Sequence, residues 1–398
     1  MKVSVRARNT LPSPTLGITA RAKALAAQGV DVIDFGAGEP DFDTPAHIRA
    51  AAIEAIEQGF TRYTPSAGAP ALRQAVCQSF LRDYGLQYRP EQVLVGVGAK
   101  HVLFNLMQAL LDPGDEVIIP SPYWVSYPEQ VKLAGGVPVA LCGEPEAGYM
   151  PSTDGVKAAL TPRTRAIILN SPGNPTGAVA SRRRVKELVS LAIKHDLVII
   201  SDEIYAKLIY DDNEHVSPAG LGAEAYARTV TVNGCSKTWA MTGWRIGYCG
   251  AADTELISAM SRMQDQSTSN PASISQKAAL AALTGPQECV EEMRLAFEER
   301  RNRIVELLNA IPGIRCPMPG GAFYAFPDVS GLIGLGADNV TIDGADSLAA
   351  YLLDAVQVAV VPGAGFGAPG NIRISYATSI PVIEAGLERM QDAICRLR

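Results

Sequence analysis

Lys237 sits in Asn233-Gly234-Cys235-Ser236-Lys237-Thr238-Trp239, a small-residue loop that follows a strand-like apolar run. An amine placed there can join a carbonyl carbon, although a single loop lysine is more often a solvated surface charge. Catalysis requires companions: an anchor for an anion, a counter-charge for a cationic ring, and a clamp for a substrate carboxylate. The sequence offers candidates for each. Ser201-Asp202-Glu203-Ile204-Tyr205 closes the apolar run 197–200, so Asp202 and Tyr205 fall at a strand's carboxyl end, where open parallel sheets bind ligands. Asp202 either caps the next helix or pairs with a protonated ring nitrogen. Tyr205 has a hydroxyl to donate to a phenolic oxygen. Ser171-Pro172-Gly173-Asn174-Pro175-Thr176-Gly177 follows another apolar strand; its prolines and glycines suit a rigid turn, and Asn174 adds an amide at the same sheet edge. Gly96-Val97-Gly98-Ala99-Lys100-His101 joins a strand to a helix, where backbone N–H groups can approach a phosphate. A lone GxG is weak by itself, but Ser236 and Arg245 can add a hydroxyl and a charge to the same anion. Arg373 lies in the strand-like run 371–376; a half-buried guanidinium there suits bidentate capture of a carboxylate.

For these side chains to meet, the chain must place several loops at one edge of a sheet. Apolar runs at 92–96, 116–119, 166–169, 197–201 and 229–232 alternate with helical periodicity at 100–111 and 182–195, which predicts an α/β architecture with a mainly parallel sheet covered by helices. A long helix at 287–310, short strands at 322–326 and 372–376 and a final helix from Pro381 are assigned to a smaller domain. The helical pattern at 19–28 and the turn-rich segment 36–45 return to it. The expected division is a large domain at 44–290 and a small one built from 1–43 and 291–398.

Composition narrows the function. With 35 Lys and Arg against 41 Asp and Glu, the net charge is −6 without long runs of one sign, which argues against nucleic acid or an anionic membrane as partner. The seven Cys include no CxxC pair, so neither a disulfide framework nor a Cys-rich metal site is expected. No apolar stretch has the length of a membrane span, and the N-terminus carries no signal-peptide pattern, so the expected location is the cytoplasm. A nicotinamide enzyme would need a GxGxxG with an acidic residue about twenty positions later, and none occurs where a first strand meets its helix.

With these segments in order, the chain resembles the class I aminotransferases of PLP fold type I, particularly the bacterial-type aspartate aminotransferases. Further stretches carry the likeness: Gly38-Glu39-Pro40-Asp41-Phe42-Asp43-Thr44-Pro45, Tyr63-Thr64-Pro65-Ser66-Ala67-Gly68, Pro113-Gly114-Asp115-Glu116-Val117 and Ser121-Pro122-Tyr123-Trp124. The resemblance implies a large domain with a mostly parallel seven-stranded sheet between helices, a smaller α+β domain, and pyridoxal 5′-phosphate as cofactor, without a metal. It implies that Lys237 is the Schiff-base lysine and the proton-moving base, that Asp202 pairs with the pyridine nitrogen, and that Tyr205 and Asn174 bond the phenolic oxygen. Trp124 would stack on the ring. Ala99, the Lys100 backbone, Ser236 and Arg245 would hold the phosphate, with Tyr63 reaching in from a second subunit of a homodimer. Arg373 would take the substrate α-carboxylate beside the backbone of Gly38. Taken alone, Trp124 and Tyr63 read as ordinary packing aromatics, and Lys100 as a first-turn lysine facing solvent.

Two departures shape the substrate expectation. The family's best-known branch has Ser where this chain has Gly234, and uses an Arg from the stretch matching 266–271, which here contains none. In the branch without that Arg, a Lys at the position of Lys100 binds the distal carboxylate with N-terminal hydroxyls, here Ser13 and Thr15. The expected reaction is ping-pong transfer between aspartate and 2-oxoglutarate. Alternatives are alanine, aromatic donors or prephenate, the last being associated with a Lys where this chain has Leu11. A non-catalytic PLP-binding regulator is the remote alternative.

Overall fold

The computed structural model describes residues 1–12, 14–337 and 340–398. Its centre is a seven-stranded sheet of β1 (Val93–Val97), β2 (Glu116–Ser121), β3 (Val137–Cys142), β4 (Thr164–Asn170), β5 (Val198–Asp202), β6 (Thr229–Gly234) and β7 (Ile246–Ala251). The spatial order is β1-β7-β6-β5-β4-β2-β3, and only β7 runs antiparallel to its neighbours. β2, β6 and β7 are buried along their whole length, as expected when helices cover both faces of a sheet. Helix Ala99–Leu110 buries Val102, Leu103, Leu106 and Met107, and helix Arg182–Lys194 buries Val185, Leu188, Val189 and Ala192. Their spacing of three and four residues makes one apolar stripe. The Ser181 hydroxyl starts the second helix by accepting from the Arg184 N–H.

The C-terminal region adds a three-stranded antiparallel sheet of β8 (Tyr324–Ala325), β9 (Val361–Pro362) and β10 (Ile372–Ser375), with β10 in the middle. The segment before the site docks on it. Ile33–Asp34 pairs in parallel with Val358–Ala359, and the Ser375 N–H donates to the Phe35 carbonyl at 2.8 Å. Ile33 and Phe35 are buried in the same apolar cluster as Phe297, Leu352, Ile374 and Met390, which fixes where residues 36–38 cross the molecule. Among the described residues, no helix is long and apolar enough to cross a membrane.

Three local features differ from the sequence expectation. Lys237 lies in a helical turn, Cys235–Thr238, instead of a loop. β3 was not foreseen because it is a partly exposed edge strand containing Pro138, a residue that dilutes a strand signal and is tolerated at edges. β7 is absent from the expected strands because Gly247 and Gly250 interrupt its apolar run.

Candidate active site

Six strand ends bring residues to one edge. β1 leads to Ala99 and Lys100, β2 to Trp124, β4 to Asn174 and β6 to Ser236 and Lys237, β5 ends in Asp202 just before Tyr205, and Arg245 immediately precedes β7. All of these line a cavity of about 440 Å³, and Gly38 and Arg373 enter it from the docked segment and β10. Close backbone approach makes this possible. A side chain on Gly247 would collide with the backbone of Gly98 and Ala99, and one on Gly98, whose φ is +81°, would occupy the space of the Arg245 guanidinium. Glycine at both positions therefore brings the N-terminus of helix Ala99–Leu110 against β7. That terminus has no side-chain cap, so its first N–H groups remain available to an anion.

Asp202 is 3 % exposed. Its carboxylate accepts from the Tyr127 hydroxyl at 2.7 Å and the Ile204 N–H at 3.2 Å, and no cation among the described residues lies within ion-pair distance of it. Burial pushes its pKa up to about 6, against the pull of those two hydrogen bonds. Asn170 fixes the strand end by donating to the Asp202 carbonyl at 2.9 Å and accepting from the Asn174 N–H at 3.0 Å. Lys237 donates to the Gly38 carbonyl. Desolvation, followed by the charge of Arg373, lowers its pKa to about 8.

Arg373 is buried. It donates to Asn174 Oδ1 at 3.1 Å and to the Gly36 carbonyl at 2.7 Å, and its Nε has no partner. A buried guanidinium with an unmet donor can receive a carboxylate. Lys100 places its ammonium 4.9 Å from the centre of the Trp124 ring. Partial desolvation and the nearby Arg245 lower its pKa. Trp124 meets Tyr127 edge-on, with centroids 5.3 Å apart. Arg245 donates to the Thr242 carbonyl at 2.8 Å, and Thr242 donates to Glu39 at 2.7 Å, tying the 36–45 segment to the lysine turn.

Tyr63 does not join this group: it is 91 % exposed and lines a separate surface cavity with Phe60 and Lys277. Ser13 and the side chain of Thr15 lie outside the described residues. Sequence reasoning missed Tyr127, Asn170 and Tyr324. Asn170 had a usable signal, a polar residue ending an apolar strand as Asp202 does. The two tyrosines had none, because their hydroxyl partners lie 75 and 119 positions away.

The site thus combines a desolvated amine, a buried carboxylate with no cation within ion-pair distance among the described residues, an uncapped helix start beside the exposed Arg245 guanidinium and a hydroxyl, and the buried Arg373 guanidinium with a free donor. This set can hold an anionic, cationic-ring aldehyde and a carboxylate substrate together. The family model for class I and II aminotransferases matches residues 30–390. The aspartate aminotransferase of Bacillus sp. (strain YM-2) is 52 % identical over 385 residues, covering 97 % of each chain. The aspartate/prephenate aminotransferase of Cereibacter sphaeroides is 50 % identical over 386 residues, covering 96 % of each. The crystal structure of the aspartate aminotransferase from Rhizobium meliloti superposes with a TM-score of 0.96 at 44 % identity, covering 100 % of both chains. With this match spanning both the sheet and the docked C-terminal region, the chain belongs to the class I and II aminotransferases.

Proposed function

We propose that the cavity binds pyridoxal 5′-phosphate and that the protein transfers the amino group of aspartate to 2-oxoglutarate in two half-reactions of a ping-pong cycle. The observation that carries this is Asp202, a buried carboxylate that has no cation within ion-pair distance among the described residues and shares its cavity with the Lys237 amine and the Arg373 guanidinium. Leaving such a carboxylate unpaired is costly, and a protonated ring nitrogen is the partner that the site lacks. Tyr205 and Asn174 would bond the phenolic oxygen, Trp124 would cover the ring face, and Lys237 would hold the aldehyde carbon. The N–H groups of Ala99 and Lys100, the Ser236 hydroxyl and Arg245 would hold the phosphate. When bound, the cofactor supplies a carbon that an amine can join and a charged ring that draws electrons from the substrate.

The chain's own groups do the rest. Lys237, as a free neutral amine, would take the proton from the substrate Cα and pass it to the cofactor carbon that bears the amino group. Arg373 grips the α-carboxylate through its free Nε face, while the bond to Asn174 fixes its plane. Lys100, at the mouth shared with an adjoining cavity of about 820 Å³, takes the distal carboxylate. In this reading a homodimer completes the site, with the exposed Tyr63 presented to a second copy. The protein is cytoplasmic and divided into 44–290 and 1–43 with 291–398; the pairing of Ile33–Asp34 with Val358–Ala359 supports joining both termini in one unit.

Aspartate should bleach the visible absorbance of the purified holoprotein and 2-oxoglutarate should restore it, whereas alanine at equal concentration should do neither. Equal bleaching by alanine would remove the aspartate assignment, and a colourless protein that takes up no added cofactor would remove the whole reading. Specificity has a sharper test. Lys100→Ala should raise the KM for aspartate by about tenfold, the effect of one partly solvated charge-assisted bond, and leave the KM for alanine and phenylalanine unchanged. Equal changes for all three would move the distal carboxylate elsewhere. Prephenate is the second substrate to assay, because the Cereibacter sphaeroides relative bears both names. Leu11 lines the adjoining cavity without contributing a charge, which favours aspartate.

A further inference from the structure

The hydroxyls of Tyr205 and Tyr324 face each other at 2.9 Å, with their rings nearly perpendicular and centroids 5.8 Å apart. Both residues are buried, at 3 % and 1 % exposure, and neither hydroxyl has another partner among the described residues. In an O–H···O–H pair one hydroxyl donates and the acceptor keeps a free proton. Two arrangements follow. If Tyr324 donates, the Tyr205 proton is free to turn toward a ligand; if Tyr205 donates, its proton is spent on Tyr324.

The strands bias this choice. Ser375 is opposite Tyr324 in the β8–β10 register, so Tyr324, Ser375 and Arg373 share one face. The Arg373 guanidinium carbon lies 4.6 Å from the centre of the Tyr324 ring, nearer than the Lys237 ammonium lies to the Tyr205 ring at 5.9 Å. A cation on a ring face makes the attached hydroxyl the better donor. Consistent with this, burial raises the pKa of both hydroxyls, but Arg373 opposes the rise most directly at Tyr324, while Tyr205 is held well above the ordinary value by burial and by Tyr324 itself. Gly38 leaves room for the arrangement: a Cβ there would meet the Tyr324 hydroxyl at 3.2 Å.

We propose that Tyr324 is a positioning residue that donates to Tyr205, turns the Tyr205 proton toward the phenolic oxygen of the cofactor, and thereby links occupancy of Arg373 to the hydrogen bond at that oxygen. This rests on the assignment of the cavity to pyridoxal 5′-phosphate. A carboxylate on Arg373 offsets the charge over the Tyr324 ring. Tyr324 then donates less strongly, Tyr205 follows, and negative charge on the phenolic oxygen is less well held. No covalent bond changes; only hydroxyl protons reorient.

The test is a spectrophotometric pH titration of the bound cofactor in the wild type, Tyr324→Phe, Tyr205→Phe and the double variant. Tyr324→Phe removes one oxygen and keeps the ring over Arg373. The other charged groups around the pair, Lys237, Asp202 and Glu39, are untouched. Weaker support for the phenolic anion moves the midpoint upward in Tyr324→Phe by about half a pH unit to one unit, the size of one hydrogen bond. The same change added to Tyr205→Phe should produce no further shift. An unmoved midpoint in Tyr324→Phe, or a full additional shift in the double variant, overturns the positioning role. A wild-type protein without a cofactor band overturns the cofactor assignment instead.

Discussion

Lys237→Ala is expected to lose at least about 10⁴-fold in kcat, because it removes both the covalent attachment point and the base in one step. The variant should still bind pyridoxal 5′-phosphate non-covalently, since the uncapped start of helix Ala99–Leu110, proposed to hold the phosphate, and Asp202 remain. Borohydride reduction of the wild type followed by peptide mapping should place the pyridoxyl group on Lys237 and on no other lysine. The pH dependence carries the same argument. Desolvation lowers the Lys237 pKa from the ordinary value of 10.5 to about 8. At pH 7.5 roughly a quarter of such amines are neutral, against roughly a thousandth of an ordinary lysine. Covalent capture of added cofactor by the apoprotein should therefore rise with pH through a midpoint near 8. Near-normal turnover of Lys237→Ala without added amines would remove this residue from the chemistry.

Much of the site could be read from the sequence because an apolar strand ending in a polar residue marks a ligand-binding edge. Asp202 ends β5, Asn174 and Lys237 follow β4 and β6, and all three reach the same cavity. Arg373 was legible for a different reason, as a charge in an otherwise apolar strand. The central sheet was legible through its buried runs, but its direction reversal at β7 was not, since periodicity is indifferent to strand polarity. Tyr127 and Tyr324 were illegible because neither a helix face nor a two-residue strand announces a distant hydroxyl partner. Lys100 is intermediate. Its place in a first helical turn was clear, but that its ammonium lies over Trp124 depends on how β1 and β2 are spaced across β7, β6, β5 and β4.

Asp202→Asn is expected to act with opposite sign on the empty and the loaded protein. The carboxylate's pKa is raised from 3.8 to about 6 in the folded apoprotein, with burial as the main cause. A raised folded-state pKa means that the neutral form is favoured in the fold: the contribution to stability is full below pH 3.8 and is lost as pH rises through about 6. Above pH 7 the wild-type apoprotein therefore carries a deficit on the order of 3 kcal/mol relative to a neutral group there. Asn keeps hydrogen-bonding capacity toward Tyr127 and Ile204 without the charge, so the apo variant should melt higher than the apo wild type at pH 8, and the difference should vanish below pH 4. Bound cofactor should reverse the order. A protonated ring nitrogen beside Asp202 would convert the costly anion into half of a buried ion pair, whose disruption costs about 3–5 kcal/mol. Holo Asp202→Asn should accordingly gain less thermal stability from the cofactor than the wild type gains, and its turnover should fall by about 10³-fold as the ring loses the charge that draws electrons from Cα. An apo variant no more stable than wild type at pH 8, together with unchanged turnover when loaded, would mean that this carboxylate faces no cation, and the ring would then have to bind in another orientation.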